Sequence, residues 1–336
     1  MTCQNHSGIA TEMSERKQGG SSALVTVVIP CFRVGEYIGQ AIKSVLKQTY
    51  QNFEIIVVDD GCPDTLKLKR ELSPYSSRVR YIRQSNKGCG AARNTAINQA
   101  RGEWIALLDG DDIWRPNYLF DQLSFARTTN ADCVYPNAQY FGASPLSGRH
   151  YMDIFPSNGP VTIEALVLGA CNVFVGALVR ADTIRNAGGF DERLRSCEDL
   201  DLWIRLVLKG GTIVYHRKVL VDYRQRPGSL SSAELDMLEC KLKIFDSLTE
   251  NGALTLAQSE AVHIAKCNAS SDRSLLLGKR ALVNHQFPRA RRYLERSGRH
   301  LGRSRLRLLL RILRGPYFVS RAFVSIASRK GMIRRK

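Results

Sequence analysis

Trp104-Ile105-Ala106-Leu107-Leu108-Asp109-Gly110-Asp111-Asp112 decides how this chain is read: an unbroken apolar run meets three carboxylates within four positions. A short run without alternation is a strand buried on both faces. The acidic residues therefore stand at its carboxyl end. The same arrangement occurs upstream, where Phe53-Glu54-Ile55-Ile56-Val57-Val58 runs into Asp59-Asp60-Gly61. A third such strand, Leu24-Val25-Thr26-Val27-Val28-Ile29, is bounded by Pro30-Cys31-Phe32. Between these runs, Ile38, Ala41, Ile42, Val45 and Leu46 recur at helical spacing, and a Gly-rich turn opens a helix over 87–100. A short strand is expected at 79–83. Strands alternating with helices predict a mostly parallel, doubly wound α/β sheet. Ligands of such sheets bind beyond the carboxyl ends of the strands, where these carboxylates stand.

After the first strand there is no Gly-x-Gly-x-x-Gly turn, and no Walker loop ending in Gly-Lys-Ser/Thr. Phosphates must be held another way, and clustered carboxylates suggest a divalent cation. Farther on, a helix is expected at 163–168, followed by the stretch 173–180, a helix over 181–187 and the turn Gly188-Gly189-Phe190-Asp191. Glu198-Asp199-Leu200-Asp201-Leu202-Trp203 opens a helix running to about 210, and 213–221 reads as a strand that holds His216, a structural histidine. The domain is expected to span 23–232, after a disordered leader over 1–22. Residues 234–298 read as helical. Gly278, Ala281, Phe287, Ala290, Leu294 and Glu295 resemble a tetratricopeptide-like helix pair, which needs a neighbour to bury its face.

The chain has 336 residues, 49 Lys/Arg against 31 Asp/Glu, and a net charge of +18. Hydrophobic content of 44% excludes a mostly disordered chain. The charge is uneven: from Ser271 onward there are 19 Lys/Arg and 2 Asp/Glu, so the preceding body is almost neutral. A cationic end of this kind meets an anionic partner: phospholipid, nucleic acid or acidic protein. The nine cysteines form no Cys-x-x-Cys pair, which disfavours a zinc site or a secreted disulfide framework. No signal peptide is expected, and no uncharged apolar run reaches the length of a bilayer span.

Eight motifs in order resemble the family 2 glycosyltransferases, which have a GT-A fold. They are Val27-Val28-Ile29-Pro30-Cys31-Phe32, Ser44-Val45-Leu46-Lys47-Gln48-Thr49, Ile56-Val57-Val58-Asp59-Asp60-Gly61, Asn86-Lys87-Gly88, Ala91-Ala92-Arg93-Asn94, Leu107-Leu108-Asp109-Gly110-Asp111-Asp112, Gly188-Gly189-Phe190-Asp191 and Glu198-Asp199. The resemblance covers about 24–232. It implies a mixed GT-A sheet flanked by helices, with the α-helical extension over 233–300 following it. It also implies transfer of a sugar from a nucleotide diphosphate donor to a hydroxyl acceptor, with inversion. The leaving diphosphate gathers negative charge, which a divalent cation offsets, and a carboxylate must take the acceptor's proton. On this resemblance Asp111 is the metal ligand for Mg²⁺ or Mn²⁺, and Asp109 faces the donor ribose or the hydrated metal. Asp112 supports them, or caps the turn that follows. Asp60, Pro30 and Phe32 line the base pocket, while Arg93 pairs with a donor phosphate or orients an acidic side chain. Asp59 touches the ligand or caps its own turn. Asp199 is the general base, and Glu198 holds an acceptor hydroxyl. Both also suit a helix N-terminus through the dipole. Tyr223-Arg224-Gln225-Arg226-Pro227-Gly228-Ser229 resembles the family's closing segment, with Arg226 where a His often stands and suited to the diphosphate. One departure is Arg33, where the family usually has Asn.

Over 301–336, Leu306, Leu309, Leu310 and Leu313 fall at helical spacing beside Arg303, Arg307, Arg311 and Arg314, and a second amphipathic segment follows Gly315-Pro316. This reads as a membrane-surface anchor. The leading expectation is a non-processive glycosyltransferase of cell-surface polysaccharide or glycolipid synthesis. Its acceptor is a lipid-linked saccharide and its place the cytoplasmic face of the membrane. The alternatives are a non-catalytic GT-A scaffold, and nucleic-acid binding through the tail. The last lacks a recognised nucleic-acid-binding signature, so no nucleic acid is expected.

Overall fold

A computed structural model describes residues 22–226, 233–250 and 254–301. The leader, most of the basic tail and residues 227–232 lie outside the described residues. The described chain divides into two compact units. The first comprises residues up to Val161 with Asn172–Glu192 and Leu202–Arg226. The second comprises Thr162–Cys171, Arg193–Asp201 and the described residues beyond 232.

In the first unit the apolar runs form strands β1 (Val25–Cys31), β2 (Phe53–Asp60), β3 (Val79–Gln84) and β4 (Trp104–Leu107). These pair in parallel in the order β3-β2-β1-β4. Every residue of β1 is buried, and each fully buried Val or Ile side chain contributes about 1.5–3 kcal/mol. The register aligns the strands' carboxyl ends. Cys31 lies opposite Asp59, and β4 stops with Leu107 opposite Val28. The loop leaving β4 therefore runs past the end of β1. Gly110 makes that approach possible: a Cβ there would lie 2.9 Å from Val34 Cγ2 and 3.2 Å from the Pro30 carbonyl.

The remaining strands make the sheet mixed. β5 (Ile113–Trp114), β6 (Cys133–Gly142), β7 (Leu178–Arg180) and β8 (Ile213–Gln225) complete an eight-stranded order of β3-β2-β1-β4-β7-β6-β8-β5 among the described residues. β7 is antiparallel to β4 and β6, and β5 is antiparallel to β8. Helices α1 (Ile38–Leu46), α2 (Thr65–Leu72) and α3 (Cys89–Gln99) alternate with the parallel strands. α3 packs on β1 and β2. The stretch 117–161, assigned no element from sequence, holds α4 (Tyr118–Thr129) and β6. Pro136 breaks the β6–β8 ladder, whose register shifts beside it, and so hides the strand from a pattern-based reading. His216 is structural: its ring stacks on Phe125 and bonds the Gln122 amide at 2.8 Å.

α5 (Ile163–Val167), α6 (Ala181–Asn186) and α7 (Glu198–Leu208) follow in chain order, then α8 (Glu234–Glu250), α9 (Leu256–Val283) and α10 (Phe287–Leu301). In the second unit α9 packs against α8, α10 and α5. The α9–α10 seam is Ala281, Leu282, Phe287, Ala290 and Leu294. Gly278 admits Leu294, whose Cδ2 would lie 2.8 Å from a Cβ there. α9 opens at the Thr255 cap, and 284–286 turns the chain into α10. No described helix is long and apolar enough to cross a membrane.

Candidate active site

The loop after β4 gathers charge within the first unit. Asp109 Oδ1 accepts a hydrogen bond from Arg93 at 2.7 Å, and the Arg93 side chain is only 3% exposed. Arg93 also lies over the Phe190 ring, 5.1 Å from its centroid. Asp111 Oδ2 pairs with Arg226 Nε at 2.5 Å, with both side chains mostly buried. Burial first, and the Asp109 charge second, push the Asp111 carboxyl above its ordinary pKa, while Arg226 opposes the rise. Asp112 is buried and accepts the Arg224 backbone N–H at 2.8 Å, tying the loop to β8. Its burial, then the charges of Asp111 and Asp109, push its pKa well up.

Arg224, which lies in the closing segment beside Arg226, joins the same cluster. Its Nε donates to the Asp111 carbonyl at 2.7 Å and a terminal nitrogen to Gln40 at 2.7 Å. The guanidinium also lies over Tyr37 and Phe141, 4.6 and 4.3 Å from their centroids. The available signal was its spacing of two from Arg226, which puts both on one side of an extended segment.

At the ends of β1 and β2 the acidic pair divides its work. Asp59 takes hydrogen bonds from the Cys62 N–H at 2.8 Å, Thr65 at 2.9 Å and Tyr81 at 2.6 Å. Burial acts to raise its pKa, but these bonds outweigh it and hold the carboxyl below its ordinary value. This is the turn-capping role. Asp60 accepts from Gln84 at 2.8 Å and from the backbone N–H groups of Lys87 and Gly88 at 2.9 and 2.8 Å. It thus shapes the Gly-rich turn before α3. Pro30 is buried in β1, whereas Phe32 just beyond it is 39% exposed. Arg33 adopts φ 55°, the left-handed region that Asn tolerates better than Arg. Its guanidinium lies 5.3 Å from the Phe32 centroid.

Two motifs distant in sequence are joined by one amide. Asn94 Nδ2 donates to the Phe190 carbonyl and Oδ1 accepts the Phe190 N–H, both at 2.8 Å. Gly189, at φ 65°, leaves room for this: a Cβ would meet Asn94 Oδ1 at 2.6 Å.

Glu198 and Asp199 belong to the second unit and open α7. Three acidic residues in this first turn suit the positive end of the helix dipole. Cys197 precedes them at φ 56°, and its carbonyl accepts the Asp201 N–H at 3.2 Å. Burial and then the Asp199 charge push its thiol up to about 12. Glu198 is 8% exposed, and Asp199 Oδ1 accepts the Leu200 N–H at 2.8 Å.

Among the described residues no group of three or more His, Cys, Asp or Glu is placed to hold a metal by itself. Asp109 and Asp111 offer hard oxygen donors. They fit the Mg²⁺ and Mn²⁺ pattern of one or two carboxylates, with water and substrate phosphate completing the shell.

A family model described as glycosyl transferase family 2 matches residues 26–179. The chain is 30% identical over 237 residues to an uncharacterized glycosyltransferase of Rickettsia typhi, covering 66% of this chain and 70% of that one. It spans only about a third of some longer Rickettsia relatives, for example 34% of one from Rickettsia felis. It is 31% identical over 231 residues to the Escherichia coli UDP-Glc:alpha-D-GlcNAc-diphosphoundecaprenol beta-1,3-glucosyltransferase WfgD, covering 68% of this chain and 87% of that one. Among solved structures, S. aureus TarS 1-349 in complex with UDP-GlcNAc matches with a TM-score of 0.65 at 20% identity, over 92% of each chain. A Pyrobaculum calidifontis mannosyltransferase in complex with GDP-Man and Mn²⁺ matches with a TM-score of 0.59 at 15% identity, over 96% of this chain and 94% of that one. These two share the fold; the motifs, the family model and the curated relatives together place the chain among the family 2 glycosyltransferases, a glycosyltransferase with a GT-A fold.

Proposed function

We propose that this glycosyltransferase moves a sugar from a nucleotide diphosphate donor to a hydroxyl of a lipid-linked saccharide, with inversion. The observation that carries this reading is the acidic loop after β4, whose Asp109 and Asp111 are each held by an arginine. Asp111, with Asp109 beside it, holds Mg²⁺ or Mn²⁺ together with the donor diphosphate. When bound, the cation supplies neutralisation of the leaving group's charge. Arg93 keeps Asp109 oriented, and Arg226 serves the diphosphate. Phe32, Pro30 and Asp60 bound the base pocket, Asp60 through the Lys87–Gly88 turn that it shapes. Asp199 takes the acceptor's proton as its oxygen bonds to the anomeric carbon and the bond from that carbon to the diphosphate breaks. Glu198 holds the acceptor hydroxyl. The UDP-Glc and diphosphoundecaprenol in the E. coli relative's name support a nucleotide-sugar donor and a lipid-linked acceptor. The Mn²⁺ complex of the same fold supports the cation. Residues 23–232 are the catalytic domain and 233–300 a helical extension. The tail over 301–336 holds the enzyme at the anionic, cytoplasmic face of the cell membrane, in a pathway of surface polysaccharide or glycolipid synthesis.

The test is a panel of nucleotide sugars, scored for donor hydrolysis and transfer with Mn²⁺ present. One donor should stand out. Asp111→Asn should abolish turnover with the fold intact by circular dichroism. Asp199→Asn should lower transfer about a hundredfold or more while calorimetry shows nucleotide diphosphate binding unchanged. Full activity of Asp111→Asn in excess EDTA would overturn the metal assignment, and transfer by Asp199→Asn within about tenfold of wild type would move the base elsewhere.

A further inference from the structure

Two of the acidic loop's three carboxylates are already balanced without a metal. Asp109 is paired with Arg93 and Asp111 with Arg226, so these four side chains sum to no net charge. A divalent cation entering alone would leave two uncompensated positive charges in a partly desolvated place, where such imbalance is costly. A cation arriving with a diphosphate brings its own counter-charge.

The two arginines near Asp111 are held very differently. Arg224 is fixed by the Asp111 carbonyl, by Gln40 and by two aromatic rings. Arg226 stands just past the end of β8. Its side chain has the Asp111 carboxylate as its hydrogen-bonded partner and the Tyr37 ring at 5.8 Å. Arg226 is the guanidinium that can be exchanged without dismantling β8, and its planar fork matches a diphosphate as well as a carboxylate.

We propose that Arg226 stands in for the cation in the free enzyme, occupying Asp111 until a metal–nucleotide complex arrives, and then passes from the carboxylate to the diphosphate. Metal and nucleotide consequently bind as a pair, and the free enzyme is guarded against metal alone. This rests on reading Asp111 as the metal ligand.

The experiment measures Mn²⁺ binding to the full chain by the electron paramagnetic resonance signal of free Mn²⁺, first without nucleotide and then with UDP as the probe. Without nucleotide, Arg226→Gln should bind Mn²⁺ about tenfold more tightly than wild type, as expected when a unit positive charge is removed from beside the ligand. Arg226→Lys keeps the charge and should remain as weak as wild type. UDP should raise Mn²⁺ affinity more in wild type than in Arg226→Gln, because only wild type has the guanidinium to move. Equal Mn²⁺ affinity of wild type and Arg226→Gln without nucleotide would overturn the exchange, with no dependence on UDP being the right nucleotide. The double variant Asp111→Asn, Arg226→Gln separates the two readings: it should lose the tight Mn²⁺ binding, and if it retained that binding the assignment of Asp111 itself would fall.

Discussion

Asp109, Asp111 and Asp112 stand within four positions, yet each meets a different environment. Asp109 is held by a buried arginine, Asp111 by an exchangeable one, and Asp112 by a backbone N–H. A buried carboxylate with a raised pKa favours folding most when it is protonated. Its contribution is full below the unfolded value, near pH 3.9, and is lost as pH rises through the folded value. Asp112→Asn keeps an acceptor for the Arg224 N–H and removes the charge. It should therefore be more stable than wild type at pH 7, with the gain disappearing toward pH 4, in urea melts at the two pH values. Asp59 has the opposite sign. Its folded pKa is depressed, so its stabilisation is present above the unfolded value and fades as pH falls through the folded one. Asp59→Ala leaves three donors without their acceptor and should cost about 2–3 kcal/mol at pH 7, and less in acid.

Elements are joined here by residues whose backbone or amide does the joining. Asn94 on α3 clamps the turn at Phe190, and Gly189 has to be left-handed and bare for the amide to reach. Gly189→Ala should lower stability by about 1–3 kcal/mol, read as a shift in urea midpoint at unchanged m-value. After β1, Arg33 occupies a left-handed position beside the exposed Phe32. Asn tolerates that conformation better, so Arg33→Asn should raise stability by about 0.5–1 kcal/mol, also read from urea unfolding. These links explain why the motifs come as a set: Ala91-Ala92-Arg93-Asn94 serves both the acidic loop through Arg93 and the Phe190 turn through Asn94.

At the scale of the whole molecule the charge distribution makes a prediction that catalysis does not. Beyond residue 270 the chain carries a net +17, and every proposed catalytic residue precedes Ser232. Deleting 303–336 should leave hydrolysis of a soluble donor within about twofold of the full chain, but reduce transfer to a lipid-linked acceptor by about tenfold, through loss of local concentration. Full-length protein should pellet with anionic liposomes, more weakly as salt screens its charges over about 8 Å at physiological ionic strength. Equal pelleting of both proteins would remove the anchor. Tight RNA binding without vesicle binding would favour the nucleic-acid alternative.

The inner strands of the parallel half, β1 and β4 above all, were legible because they are buried on both faces. Val25–Cys31 and Trp104–Leu107 are largely apolar runs with no competing period, and carboxylates follow the second within two residues. The α9–α10 seam was legible for a different reason, its small and large residues recurring at helical spacing. β6 was not, because Pro136 interrupts its ladder and its pairing is decided by β8, some eighty residues downstream. Nor could the sequence assign partners to the charges. Asp60 and Arg93 were expected as site residues, and Asp59 as either a ligand contact or the cap of its own turn. That Asp59 caps its own turn, that Asp60 shapes the Lys87–Gly88 turn and that Arg93 holds Asp109 are matters of distance. Motif and periodicity are local properties of a chain, so the sequence by itself determined the family, the inner parallel strands and the residue types of the candidate site. Which guanidinium reaches which carboxylate depends on side chains that only the folded sheet brings within a few ångströms, and that tertiary structure alone decided.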